Sequence, residues 1–231
     1  DVVRSRGLGD VYKRQQLSRS VEYLNCLPMT IVSIDNIEAD DSIAYISEQC
    51  LTDSNIVIMS TDKDFLQLVD DRVSVWSPVR KKLYKPNDIL EEYGIDSKNY
   101  IWYRVLDGDK SDNIPGVKGL GLKTIQKKFP FLNENRIVNI GEVIKELPNA
   151  KDVIELNYKL MQLSNVDISG NAKMKIRNLV NNPIQRLIKV DFQKMFLEDK
   201  LYAALPNLNS WLATTFNRLN NMAEKSYGKK T

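Results

Sequence analysis

Histidine is absent from the 231 residues, and cysteine occurs only twice, at Cys26 and Cys50. The absence of histidine excludes Ser-His-Asp and Cys-His catalysis, a histidine general base and histidine-coordinated zinc. Two distant cysteines are too few for a disulfide framework or a metal knuckle, so a protein of a reducing cytoplasm is expected. Any catalysis by this chain therefore depends on carboxylates or lysines.

Long apolar runs are also missing from the sequence. No segment approaches the roughly 20 apolar residues of a membrane span, and the N-terminus lacks the apolar core of a signal peptide. We therefore expect neither a membrane partner nor secretion. The chain starts at Asp1 rather than Met, with the string DVVRSRGLGDVYKRQ. We interpret residues 1–15 as a non-native segment and expect the natural start of the protein to be missing.

The net charge of +3 conceals a segregation of charge along the chain. Residues 30–71 carry ten acidic residues and one basic residue, Lys63. Residues 72–136 carry 13 basic and 8 acidic residues. An acidic block beside basic flanks favours a metal centre framed by surfaces that bind polyanions. Solvated charge scattered over helices is the alternative interpretation.

Hydrophobic periodicity predicts an α/β fold. Short β-branched runs predict buried strands over residues 29–34, 56–60 and 73–77. Helices are expected over residues 39–51, the FLQLV run, 86–93, 98–107, from 122 onward, and most of 137–225. Strands that alternate with helices imply right-handed crossovers and a parallel sheet. Side chains that follow such strands share the carboxyl edge of the sheet, where ligands bind.

Three acidic groups stand out: Glu38, Asp40 and Asp41; Asp62 and Asp64; and Asp109 and Asp112. The first two groups follow predicted strands, so we expect them to converge in space. Each group alone has a structural explanation, as helix-capping residues or as an Asx turn. Together, like charges at one edge favour a divalent cation, and oxygen ligands without His or Cys select Mg²⁺ or Mn²⁺. Two such ions would suit in-line displacement at a phosphodiester.

The run GVKGLGLKT is rich in glycine. It does not fit a P-loop, because Lys123 comes one position too late after Gly121 and no strand is predicted before Gly116. A helix-hairpin-helix turn fits better, since its glycines let backbone N–H groups reach duplex phosphates at the start of a helix. Lys118, Lys123 and Lys127 would add sequence-independent phosphate contacts. A plain corner between two helices, capped by glycines, is the alternative.

Three ordered runs, IEADDSIA, STDKDFLQL and GDKSDNIPGVKGLGLKT, resemble the 5′-nuclease (flap endonuclease) superfamily. The runs PMTIVSIDNIEADD and WSPVRKKLYK are similar to the ribonuclease H (5′ to 3′ exonuclease) group of T-even-like bacteriophages. The resemblance is strong over about residues 28–130 and loose beyond them. It implies a parallel-sheet, PIN-like 5′-nuclease core, incomplete at the N-terminus, then a helix-hairpin-helix DNA-binding region and a helical C-terminal part.

The resemblance also assigns segments and residues. Residues 16–106 would form the partial catalytic core, residues 107–136 the helix-hairpin-helix region and residues 137–231 the helical C-terminal region. The implied ligands are Glu38, Asp40, Asp41, Asp62 and Asp64 for the first metal group and Asp109 and Asp112 for the second. The implied DNA-binding residues, around a potassium ion, are Gly116, Lys118, Gly119, Gly121, Lys123, Thr124 and Lys127. Asp35 and Asp107 match no ligand of the superfamily and are expected to be structural.

The N-terminus departs from the superfamily, whose members begin with a strand bearing a metal-binding Asp, followed by an arch of basic residues. Neither feature is present here, so the Lys and Arg residues of the arch are missing. The fragment is therefore expected to be inactive or nearly so, and the complete gene product to be active.

The resulting hypothesis is a Mg²⁺-dependent, structure-specific 5′ to 3′ exonuclease and flap endonuclease, with two Mg²⁺ ions that Mn²⁺ can replace. The expected partners are DNA with a 5′ flap or an RNA–DNA hybrid, and replication proteins such as single-stranded-DNA-binding protein. We expect a monomer in the cytoplasm, which is the host cytoplasm if the gene belongs to a phage. The alternatives are a non-catalytic duplex-DNA-binding module with a degenerate nuclease site and a small metal-dependent ribonuclease of the toxin type.

Overall fold

A computed structural model describes residues 2–228, and side chains for residues 11–224. The chain divides into two compact units, one of residues 34–176 and one of the residues before 34 and after 176. Part of the segment interpreted as non-native, residue 1 and the side chains of residues 2–10, lies outside the described residues. The three segments assigned from the resemblance, residues 16–106, 107–136 and 137–231, follow function rather than compactness, and they stay a prediction.

The helices and strands follow one another as a mixed α/β chain. The first part contains α1 (Val2–Leu24), α2 (Ala39–Tyr45), β1 (Ile56–Met59), β2 (Val73–Ser77), β3 (Lys82–Tyr84), α3 (Pro86–Tyr93) and α4 (Tyr100–Asp107). The second part contains β4 (Gly108–Asp109), β5 (Ile114–Pro115), α5 (Leu122–Lys128), α6 (Ile140–Glu146), α7 (Lys151–Met161), α8 (Gly170–Asn181), α9 (Lys189–Glu198) and α10 (Leu208–Gly228).

The predicted parallel pairing is confirmed for β1 and β2. Ile56 pairs with Val73 and Met59 with Trp76, and both strands run in the same direction. Strand β3 joins the other side of β2 in antiparallel orientation, so the sheet order is β1-β2-β3. The short helix after β1 is also confirmed, as a 3₁₀ helix over Asp64–Leu68. Its crossover brings the chain from β1 back to β2, as the alternation of strand and helix predicted.

The predicted strand over residues 29–34 is wrong. Within the described residues, this segment has no strand partner and forms irregular structure. Met29 packs against the apolar cluster of the terminal unit, whereas Ile34 begins the other unit. A β-branched run needs a neighbouring strand to satisfy its backbone hydrogen bonds, and the described part of the chain supplies none here.

Other expectations about local structure fare better. Helix 39–51 is confirmed as α2, continued by a π-helical turn over Ile46–Cys50. Pro86 starts α3 and Gly94 ends it in the left-handed conformation, with φ of 62°.

The expectation that no strand precedes Gly116 is wrong, because the two-residue strand β5 pairs with β4 directly before it. This strand is too short to change the argument against a P-loop, which follows a strand of a larger parallel sheet.

The core of the 34–176 unit forms around α4. Tyr100, Val105 and Leu106 of this helix are fully buried. The buried amide of Asn99 donates to the carbonyl oxygens of Leu132 and Arg136, at 3.1 and 2.9 Å. Leu132 belongs to a 3₁₀ helix, Pro130–Asn133, and Arg136 to the irregular segment after it, and these bonds satisfy their carbonyl groups as burial requires. Asn99 thus ties this segment to the start of α4, and α4 leads into β4.

The terminal unit has its own apolar cluster, in which Cys26, Phe192 and Leu212 are buried. Arg19 of α1 forms ion pairs with Glu198 and Asp199 of the α9 end, at 2.8 Å each. The region 137–225 was expected to be mostly helical, and the structure has α6, α7, α8, α9 and α10 there. In the described part of the chain, no helix combines the length and the hydropathy needed to cross a membrane.

Candidate active site

Five of the seven predicted metal-binding carboxylates line one cleft of about 480 Å³ in the 34–176 unit. These residues are Glu38, Asp40, Asp41, Asp64 and Asp112. A second wall segment of the cleft consists of residues 159–163 with Val166 and Asp167. The structure thus brings together groups that lie far apart in sequence, whereas their role as ligands stays a prediction.

The first acidic group surrounds the start of α2. Glu38 is the N-cap residue, but its side chain makes no capping hydrogen bond. Asp40 accepts a hydrogen bond from the backbone N–H of Asp41 at 3.0 Å. Burial raises the pKa of the Asp41 carboxyl, and the nearby charges of Asp40, Glu38 and Asp167 raise it further. Helix capping therefore does not account for Glu38, and the charges that act on Asp41 among the described residues are those of three acidic neighbours.

The second acidic group is split by the structure. Asp62 is exposed, accepts a hydrogen bond from the backbone N–H of Asp64 at 2.8 Å, and lines a neighbouring depression rather than the cleft. Asp62 thus forms an Asx turn before the 3₁₀ helix, whereas helix capping was the structural explanation expected for it from the sequence. Asp64 lines the cleft and is half-buried. Burial raises the pKa of Asp64, although the hydrogen bond from Arg104 lowers it in part.

The third acidic group is also split. Asp112 is exposed and lines the cleft. Asp109 does not line it, and one of its carboxylate oxygens accepts a hydrogen bond from the backbone N–H of Ser111 at 2.7 Å, in the predicted Asx turn. The hydrogen bonds from Ser111 and Arg104 lower the pKa of Asp109. Asp109 is therefore held as a carboxylate directly beside the cleft.

Arg104 is a site residue that sequence reasoning missed. Its guanidinium Nε donates to Asp64 and its Nη2 donates to Asp109, so it forms an ion pair with each. Burial lowers the pKa of Arg104, but the pairing with Asp64 and Asp109 raises it, and the net pKa lies above the ordinary value of an arginine. The available signal was an arginine inside an apolar helix, five residues before Asp109. Such an arginine is seldom buried without a carboxylate partner.

Two amides that were also missed hold the cleft wall in place. Gln67 donates to the carbonyl oxygen of Met161 and accepts from the backbone N–H of Leu163, at 2.9 Å each. The buried Asn157 donates to the carbonyl oxygens of Val105 and Pro115, at 3.0 and 2.9 Å. These bonds tie α7 and the turn after it to the 3₁₀ helix, to α4 and to β5. The wall is therefore fixed by hydrogen bonds on both sides.

The glycine run follows β5 and leads into α5. Gly116 lies against α4, because a Cβ added to it would stand 2.1 Å from the Asp107 carbonyl oxygen. Gly119 has a φ of 82°, whereas Gly121 has a φ of −100° and precedes the first residue of α5. A Cβ added to Gly121 would meet nothing within 4 Å. Thr124 is exposed. The nearby basic side chains are exposed too, and they are Lys118, Lys123, Lys127 and Lys128.

The donor set of the cleft fits a hard divalent cation, since it offers carboxylate oxygens without thiolate or imidazole. The acidic neighbours of Asp41 are a second reason for a cation there. In the described residues, however, no three carboxylate or thiolate residues stand close enough together to hold one metal ion. The chemistry of the residues therefore fits Mg²⁺ or Mn²⁺, and no coordination geometry follows from their positions.

A mixed α/β fold with an acidic cleft beside a basic glycine turn is the arrangement expected of a 5′-nuclease. Residues 12–94 match the family model described as "5′-3′ exonuclease, N-terminal resolvase-like domain". The chain is 33% identical over 190 residues to a 5′-3′ exonuclease of Aquifex aeolicus, covering 78% of this chain and 65% of the relative. It is 34% identical to a 5′-3′ exonuclease of Buchnera aphidicola subsp. Schizaphis graminum, covering 85% and 67%. The chain belongs to the 5′-3′ exonuclease family of the 5′-nuclease superfamily.

Further relatives and solved structures extend the comparison. The thermostable DNA polymerase I of Thermus thermophilus is 34% identical over 154 residues, which cover 65% of this chain and 18% of the polymerase. A mutant 5′-exonuclease of phage T5 is 22% identical, with a TM-score of 0.49, and the match covers 72% of this chain and 68% of that one. The chain spans about two thirds of the length of the Aquifex and Buchnera proteins.

Proposed function

We propose that this chain is the core of a Mg²⁺-dependent, structure-specific 5′ to 3′ exonuclease and flap endonuclease. Its substrates would be the phosphodiesters of 5′ flaps and RNA primers in DNA replication. The observation that carries the proposal is the convergence of five predicted carboxylates, together with Asp167, on one cleft, in a chain of the 5′-3′ exonuclease family. Two Mg²⁺ ions, replaceable by Mn²⁺, and a K⁺ ion at the glycine turn belong to the same proposal.

The residues of the cleft would have two roles, binding of the divalent cations and contact with the phosphodiester. Glu38, Asp40, Asp41, Asp64 and Asp112 would hold the divalent cations. When bound, such a cation polarises a phosphoryl oxygen and lowers the pKa of bound water. Lys159 is the one basic residue among those that line the cleft, and its side chain is exposed. Its ammonium group would contact the phosphodiester. This contact would offset the repulsion between the negative phosphodiester and the carboxylates.

The glycine turn would bind the duplex without reading its sequence. Gly121 supports this role, because neither its backbone angle nor the described packing requires glycine there. A position without a side chain lets a phosphate approach the backbone closely. The exposed Lys118, Lys123 and Lys127 would contact phosphates along the duplex. Recognition would therefore depend on duplex shape and phosphate spacing.

The test of the function is cleavage of a fluorescently labelled 5′-flap duplex by the full-length product of the gene. We expect release of the flap with Mg²⁺ and none with EDTA, because the carboxylates would act through the cation. The same labelled strand without its complement should be cleaved poorly. Duplex binding that survives EDTA, with no cleavage in Mg²⁺ or Mn²⁺, would instead support the non-catalytic DNA-binding module.

Replacement of Lys118, Lys123 and Lys127 by Ala is expected to weaken binding of a 5′-flap duplex by the 231-residue chain. Each phosphate contact contributes about 0.9 to the slope of log K against log salt for duplex DNA. Loss of three contacts should therefore reduce the slope by about 3. The measurement is fluorescence anisotropy with EDTA present, at salt concentrations from about 50 to 200 mM.

A matched control removes the same charge elsewhere, by replacement of the exposed Lys145, Lys189 and Lys194 with Ala. This variant should keep most of the salt slope, because the three lysines lie outside the glycine turn and make none of the proposed phosphate contacts. Equal losses in the two variants would contradict a specific role for the glycine turn and its lysines.

A further inference from the structure

Arg104 is buried and connects two acidic residues that lie 45 positions apart, Asp64 and Asp109. Its side chain is 8% exposed, and those of the two aspartates are 17% and 16% exposed. Nε donates to one oxygen of Asp64, and Nη2 donates to one oxygen of Asp109. One planar guanidinium therefore makes a separate charge-assisted hydrogen bond to each carboxylate.

The two carboxylates belong to different parts of the fold. Asp64 begins the 3₁₀ helix after β1, whereas Asp109 lies in β4, directly after α4. The other oxygen of Asp109 is held by Ser111, so that carboxylate is fixed at both oxygens. Arg104 itself lies on the buried face of α4, between the fully buried Tyr100 and Val105. The side chain thus ties the segment after β1 to the segment after α4.

We propose that Arg104 is a positioning residue that joins the acidic group after β1 and the acidic group after α4 into one site. The proposal rests on the proposed function, in which these groups serve the same cation-binding cleft. Arg104 would set the separation of Asp64 and Asp109 and neutralise part of their charge. Asp64 would then face the cleft in a fixed position, and Asp112 would be presented from the turn that Asp109 anchors.

Both the charge and the shape of arginine matter in this arrangement. Two buried carboxylates without a cation would repel each other and remain poorly solvated. Lysine would restore the charge, but its single ammonium lacks the rigid planar fork that reaches two separate carboxylates at fixed positions. The replacement Arg104→Lys therefore separates charge neutralisation from positioning, and Arg104→Met removes both.

The first experiment measures urea unfolding of the 231-residue chain in EDTA. Asp64→Asn and Asp109→Asn are made singly and together, in the parent and in Arg104→Met. In the parent, we expect whichever aspartate is replaced second to lower the urea midpoint more than the one replaced first. The second replacement removes the last carboxylate partner of the buried Arg104 guanidinium. In Arg104→Met, neither should lower the midpoint as it does in the parent, and Asp64→Asn should raise it, because it removes a half-buried charge that has lost its partner.

Equal shifts in the two backgrounds would overturn the proposal, since the aspartates would then be independent of Arg104. If Arg104→Met does not fold, the same cycle is run in Arg104→Lys. There, loss of the coupling between the two aspartates supports the proposal, and coupling as in the parent contradicts it.

The matched control is Arg136, which also pairs with two carboxylates but is 42% exposed. Its partners are Glu134 and Glu142, at 2.7 and 2.8 Å. Arg136→Met with Glu134→Gln and Glu142→Gln should give nearly additive, small shifts.

The second experiment measures Mn²⁺ binding by calorimetry for the parent and for Arg104→Lys. We expect at least tenfold weaker binding in Arg104→Lys, with an unchanged far-ultraviolet circular dichroism spectrum. Equal Mn²⁺ affinity would overturn the positioning role. If the parent binds no Mn²⁺, the cation-dependent function proposed for the chain fails, while the unfolding cycle still decides whether Arg104 couples the two aspartates.

Discussion

Replacement of Asp41 by Asn is expected to stabilise the cation-free protein and to abolish most of its nuclease activity. Asp41 is half-buried, and its neighbours Asp40, Glu38 and Asp167 are acidic. Burial and these charges raise the pKa of Asp41, so its ionised form disfavours the folded state at neutral pH. Asparagine has nearly the same shape without the charge, and the urea midpoint in EDTA should therefore rise.

The effect on cleavage should have the opposite sign. A carboxylate that holds a catalytic cation contributes several kcal/mol to transition-state stabilisation, and about 4 kcal/mol corresponds to about a 10³-fold slower reaction. The measurement is flap cleavage by the full-length gene product carrying Asp41→Asn, in Mg²⁺. Higher stability combined with lost activity is typical of a residue retained for function at the expense of stability.

The control for Asp41 is Asp53→Asn, an exposed residue outside the cleft lining that gives the same change in charge. It should leave both the urea midpoint and the cleavage rate close to those of the parent. If Asp41→Asn retained full cleavage in Mg²⁺, Asp41 would have no role in cation binding. If it lowered the midpoint instead, its carboxylate would have a stabilising partner.

Local sequence patterns predicted the elements whose partners are close in the chain. The runs that became β1 and β2 are apolar, β-branched and separated by one short helix, so their pairing needs only a short crossover. Residues 29–34 have the same composition but no described strand beside them, and composition cannot supply a partner. Strand β3 was not predicted, because the basic run around Lys82 lacks apolar alternation. It forms through antiparallel pairing with β2.

The sequence predicted which residues form the site more accurately than it predicted their hydrogen-bond partners. The first two acidic groups were expected to converge because each follows a predicted strand, but only the second follows a strand of the structure, since residues 29–34 form none. Five of the seven predicted side chains nevertheless line the cleft. Sequence could not show that Asp62 and Asp109 turn towards backbone N–H groups, because a carboxylate can cap a turn or face a cleft with the same neighbours in sequence. Arg104 was missed because its two partners come together only in the folded chain.

Replacement of Gly116 by Ala is expected to destabilise the protein strongly. The added Cβ would lie 2.1 Å from the Asp107 carbonyl oxygen and 2.7 Å from that of Leu106, and both are backbone atoms. Backbone cannot move aside as the end of a flexible side chain can, so β5 would have to separate from the end of α4. Overpacking of this kind costs about 3 kcal/mol or more. The measurement is the free energy of unfolding in urea for the 231-residue chain.

Gly121→Ala is the matched control for Gly116, because it adds the same methyl group five residues later in the same turn. Gly121 has a negative φ, and its added Cβ would meet nothing within 4 Å. The weaker helix cap and the reduced entropy of the unfolded chain should offset each other to within about 1 kcal/mol. Binding of a 5′-flap duplex should nevertheless weaken, because the methyl group would stand where a phosphate approaches the backbone.

If Gly121→Ala bound the duplex as the parent does, the glycine turn would be only a corner between helices. If Gly116→Ala were as stable as the parent, the close packing of the turn against α4 would be wrong.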